Sequence, residues 1–211
     1  MNLQYIILLA PPILLALSFH EFSHGWMAYK LGDPTAKLAG RLSMNPLVHL
    51  DPIGTLMIFL VRFGWARPVP VDPRYFRQPK RDMLLVSVAG PGANMILALL
   101  SGLLLRLFHG GVFNFFPSNV LQPLYLMVKF SLQINLALAI FNLLPIPPLD
   151  GSKILYGILP PQYDHVFYSL ERYGGFILMG LILFGMLSGV SILGAFIYPF
   201  VNFFSKIFGG M

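Results

Sequence analysis

Apolar side chains run almost unbroken through four long stretches of the sequence, roughly residues 3–27, 83–107, 124–147 and 174–199. A helix needs about 20 mostly apolar residues to cross the hydrocarbon layer of a membrane, so each stretch predicts a crossing helix. The last stretch carries Gly180, Gly185, Ser188, Gly189 and Gly194 and stays apolar past Pro199 to Phe208. It fits either one crossing with a short tail helix or a broken pair. Residues 53–61 are apolar but too few to cross, and read as interfacial, re-entrant or packed against the bundle. Segment 30–82 is punctuated at Asp33-Pro34, Asn45-Pro46, Asp51-Pro52, Asp72-Pro73 and Gln78-Pro79, with the alternating run Arg67-Pro68-Val69-Pro70-Val71 between. This pattern predicts hairpin-like strands and turns with one short helix. The expected fold is an all-α polytopic membrane protein: four to five transmembrane helices, a short β-hairpin-like or re-entrant region after the first, and residues 1–211 forming one domain.

Composition agrees. Of the 211 residues 56% are hydrophobic and 10% charged, where soluble domains carry about 25% charged residues. With no cysteine there is no disulfide and no thiolate metal site. The net charge of +6 does not call for nucleic acid, because nine of the fourteen basic residues lie between Lys30 and Arg81. By the positive-inside rule that segment faces the cytoplasm. The N-terminus and residues 108–123, which contain no Lys or Arg, then lie outside. No basic residue precedes Lys30, so the first apolar stretch reads as a retained helix and not a cleaved signal. The expected location is the cytoplasmic membrane of the cell.

Three polar features break the apolar stretches. His20-Glu21-Phe22-Ser23-His24 closes the first one. On a helix its two histidines lie one turn apart on one face and can share a metal, while Glu21 is placed to act as a general base on water. Ionisable groups inside a membrane span are expensive and need a common reason to be there. The second feature, Gly90-Pro91-Gly92-Ala93-Asn94, places an amide near the start of the second stretch. Asn94 fits a substrate or oxyanion contact, and helix-packing glue equally well. The third runs from Asn142 to Asp150-Gly151 through Pro145, Pro147 and Pro148. Asp-Gly is a common turn, yet the topology brings Asp150 to the same membrane side as the histidines, where it is the natural third zinc ligand. Segment 30–82 either lines an entry for water and substrate or forms a cap with no catalytic role.

Taken together, the HExxH motif at 20–24, the GxxxN at 90–94 and the NxxPxxxxDG at 142–151 resemble the site-2 protease family of intramembrane zinc metalloproteases. The resemblance covers roughly residues 16–157, including Asn45-Pro46-Leu47-Val48-His49 and residues 64–71, which resemble a membrane-dipping β element of that family. It implies one Zn²⁺ held by His20, His24 and Asp150, with Glu21 as base and Asn94 and Asn142 supporting substrate or transition state. The implied substrate is a transmembrane segment of a single-pass protein within the bilayer, cut as in regulated intramembrane proteolysis. His49 matches a family histidine and reads as a capping position or one that supports the site from behind, while His109 and His165 match nothing and read as surface residues. The gap 108–123 is too short for the PDZ domain that many relatives carry there. The alternatives are a non-catalytic, zinc-dependent binder of membrane helices and a metal transporter. The first would not need Glu21. The second would be expected to show an inverted repeat and midplane ligands.

Overall fold

The computed structural model describes residues 3–54 and 66–210. Its helices are α1 (Leu3–Lys30), α2 (Thr35–Leu38), α3 (Pro79–His109), α4 (Ser118–Asn142), α5 (Asp150–Ile158), α6 (Asp164–Ser188) and α7 (Ile192–Gly209). Short 3₁₀ turns begin at Pro46, Pro73 and Pro161. Five helices, α1, α3, α4, α6 and α7, are long and apolar enough to cross a membrane. This is a multi-pass, mostly helical membrane protein.

One predicted element differs and one open alternative is decided, each for a backbone reason. The third stretch ends at Asn142 instead of 147, because Pro145, Pro147 and Pro148 cannot continue a helix. The fourth is a broken pair: Gly189, at φ 73°, caps α6 in the left-handed region, and Ser191 Oγ accepts from Gly194 N at 2.9 Å to start α7.

The expected hairpin-like strands are not found among the described residues. The only trace is one antiparallel bridge between Leu50 and Ala66, with Arg67 N donating to His49 O at 2.8 Å. Pro68 and Pro70 lack the N–H groups a ladder needs, and the Val69 N–H is used elsewhere. The re-entrant reading of 53–61 falls mostly on residues outside those described.

The bundle is built around α3, which packs against α1, α4, α5 and α7. Ala98 and Leu105 of α3 meet Leu132, Leu136 and Ile140 of α4 and Val201 of α7 in the main apolar cluster. Small residues let the helices approach: a side chain at Gly102 would collide with Phe208 of α7. α1 and α4 run antiparallel to α3, whereas α7 runs parallel to it. Arg106, near the C-terminal end of α3, donates to Phe208 O at 2.7 Å and Ile207 O at 2.5 Å at the end of α7.

That direction constrains α6. Its first residue, Asp164, pairs with Lys80 at 2.6 Å beside the start of α3, and its Gly174 rests on Pro147. Leu193, at the start of α7, again joins the cluster of Leu144, Leu149 and Leu178. The chain therefore enters α6 and begins α7 at the same end of the bundle, the end that carries Asp150.

Candidate metal centre

His20 and His24 project from the last turns of α1 toward α3, and Asp150 enters between them from the first residue of α5. Nε2 of His20 and Nε2 of His24 are 3.0 Å apart, and each lies 3.2 Å from Asp150 Oδ2. All three residues are buried.

The hydrogen bonds behind the rings decide what these atoms are. His24 Nδ1 lies 2.7 Å from the carbonyl of Val86, which can only accept. His20 Nδ1 lies 2.6 Å from Asn94 Oδ1. The Asn94 amide nitrogen already donates to Ala16 O at 3.1 Å and Asn135 Oδ1 at 2.8 Å, and Asn135 donates onward to Ser131 O. Each imidazole thus carries its proton on Nδ1 and turns a bare Nε2 lone pair toward Asp150. Asp150 Oδ2 is buried and accepts no hydrogen bond.

Three electron-pair donors with no proton between them repel unless a cation joins them. Two ligands about 2.05 Å from a tetrahedral Zn²⁺ lie about 3.3 Å apart, close to the edges of this triangle. The set fits a metal and is the one cluster of this kind among the described residues.

Glu21 points into the same space. A cavity of about 360 Å³ is lined by all three clustered residues, Glu21, Asn142 and Lys153. Glu21 Oε2 accepts from Val69 N at 2.9 Å. Asn142 lines the cavity while its amide donates back to Leu138 O at 3.0 Å. Asn94 is different. Read from sequence as either a substrate contact or helix-packing glue, it is fully buried behind His20 with both ends of its amide engaged, and it does not line the cavity. His49 is buried in its loop with Nε2 on Ser43 O at 2.7 Å, and His109 and His165 are exposed.

Comparison with known proteins places the chain in a family. The model of peptidase family M50 matches residues 110–184. The chain is 41% identical over 193 residues to the "Putative zinc metalloprotease YwhC" of Bacillus subtilis, covering 90% of this chain and 84% of that protein. The chain belongs to peptidase family M50. It is also 30% identical over 175 residues to the "Putative zinc metalloprotease Rip2" of Mycolicibacterium smegmatis, spanning 64% of that protein's length. A more distant match, 26% identical over 178 residues and spanning 42% of its length, is the "Zinc metalloprotease MJ0392" of Methanocaldococcus jannaschii. No solved structure matches the chain significantly.

Some residues of this site escape the motifs. Asn135 is an amide in the middle of an apolar helix, and that rarity is a signal available in the sequence. Gly90 is another: an added Cβ would lie 2.7 Å from His20 Cε1 and nearer still to the His24 ring. Its motif reads as close packing, but nothing local says that the rings are what it makes room for. The Val69 N–H on Glu21 has no signature at all.

Proposed function

We propose that the protein is an intramembrane zinc endopeptidase that hydrolyses a peptide bond within a transmembrane segment of another membrane protein. The observation that carries this reading is the triangle of unprotonated donors beside a carboxylate, in one cavity within a helical membrane bundle. Membership of family M50 supports it.

In this reading His20, His24 and Asp150 bind one Zn²⁺, with Asn94 and the Val86 carbonyl fixing the two imidazoles from behind. When bound, zinc supplies Lewis acidity at neutral pH. Glu21 takes the proton of the attacking water and passes it to the nitrogen of the leaving amine. The Val69 N–H orients the Glu21 carboxylate. Asn142, on the cavity wall, contacts the substrate backbone. A peptide bond inside a helix is shielded by its own hydrogen bond, so the substrate unwinds locally before it can be cut, helped by helix-breaking residues.

By the positive-inside rule, the basic residues of 30–82 support a centre toward the cytoplasmic face of the cell membrane. Replacing Glu21 with Gln keeps one zinc per chain and abolishes cleavage. An active Glu21→Gln protein would remove the general-base assignment.

A further inference from the structure

Arg41 is a buried guanidinium with no carboxylate in ion-pair distance among the described residues. Its Nη2 donates to the carbonyls of Arg67 at 2.5 Å and Pro68 at 3.3 Å, and its Nε is buried with no partner. Burial and the Arg67 charge push the guanidinium pKa down, partly offset by the nearby Glu21 carboxylate. Holding a charge in such a place is costly, and a neutral residue would fill the volume without that cost.

The next residue along the held segment is Val69. Its side chain packs on α1 at Gly25, where an added Cβ would lie 3.1 Å from Val69 Cγ1. Gly25 is one helical turn beyond Glu21, and the Val69 N–H reaches Glu21 Oε2. Pro68 and Pro70 on either side stiffen the segment and leave Val69 with the only free N–H between them.

We propose that Arg41 is a positioning residue for Glu21, acting through the Arg67 and Pro68 carbonyls to hold the Val69 N–H against the Glu21 carboxylate. The role of Arg41 in cleavage rests on the reading of Glu21 as the base. Its hold on the segment does not. One guanidinium nitrogen, Nη2, reaches both carbonyls, and the shorter, differently shaped lysine side chain keeps only part of that reach.

The test pairs hydrogen exchange of peptides covering residues 66–72 with kinetics on unfolded casein in detergent. Arg41→Ala is expected to exchange about tenfold faster over 66–72. Its kcat is expected to fall about tenfold to a hundredfold, with KM for casein and one zinc per chain unchanged. Arg41→Lys recovers part of both losses. Val69→Pro removes the N–H directly, and Arg41→Ala combined with it costs no more kcat than the worse single variant. Glu21→Gln keeps wild-type exchange at 66–72 because its amide oxygen still accepts, yet is inactive. An active Glu21→Gln protein would overturn the base reading while leaving the exchange result to judge Arg41. Unchanged exchange in both Arg41 variants, or kcat lost only in step with zinc, would overturn the proposal.

Discussion

Gly90→Ala and Gly92→Ala make the same chemical change two residues apart on α3, and the structure gives them opposite outcomes. Each replaces a mid-helix glycine and so gains roughly 0.5–1 kcal/mol of helix stability. At Gly92 the new methyl group meets nothing within 4 Å. At Gly90 it would lie 2.7 Å from His20 Cε1, 2.6 Å from His24 Cε1 and closer still to His24 Nε2. Ordinary contact begins near 3.4 Å, so both rings must retreat by at least roughly 0.7 Å. Metal sites tolerate about 0.2 Å in ligand distance, which places the shift well outside the allowed range. The rings cannot retreat freely, because Asn94 and the Val86 carbonyl hold their far sides. Zinc affinity of Gly90→Ala should fall by about a hundredfold or more, with cleavage lost alongside. The metal-free fold should melt somewhat below wild type, because crowding two held rings costs about 1–3 kcal/mol against the helix stability gained, whereas Gly92→Ala should melt no lower than wild type. Zinc retained after dialysis against graded chelator, read beside thermal unfolding in detergent, measures both. Wild-type zinc retention by Gly90→Ala would refute the reasoning, as would equal loss in Gly92→Ala.

Asn94→Leu fills similar volume but strips the acceptor from His20 Nδ1 and a donor from Asn135. Each orphaned buried group costs about 1–3 kcal/mol, visible as a lower melting temperature, and zinc affinity should drop about tenfold to a hundredfold. Gly151→Ala would drive a methyl group into the Leu143 and Leu144 carbonyls, displacing Asp150 beside it. Its zinc loss should resemble that of an Asp150 variant, with His20 and His24 intact. The membrane arrangement is testable because the chain has no cysteine. Single cysteines at Asn114 and Gly210 should be labelled from the same side of intact vesicles, since Arg106 ties the end of α7 to the end of α3. Five simple crossings would put them on opposite sides.

Much of the centre was legible because its chemistry is local. A two-histidine helical turn announces itself by spacing, and Asp150 by being an acidic residue after a proline-stopped apolar stretch on the same side. Hydropathy marked four long stretches; that the last is two helices, and that the third stops at Asn142, came only with the structure. Pro68 and Pro70 were visible too, yet the alternation around them reads as a hairpin until one sees that Val69 gives its single N–H to Glu21. What stayed hidden depends on contacts between distant segments. Gly90 looks like a packing glycine until the rings are seen against it, and Asn94 looks like a substrate contact until its amide is found spent on His20, Ala16 and Asn135. The shared end of α6 and α7 is likewise set by Arg106 and Leu193, not by any pattern in their own residues.

The most direct test of the account is zinc per chain in folded protein reloaded with metal, wild type beside Asp150→Ala. The account predicts about one zinc in wild type and clearly weaker retention in the variant, because α5 supplies the third ligand to the pair on α1. No zinc in reloaded, folded wild type would contradict the metal centre, and equal retention by Asp150→Ala would contradict the ligand set.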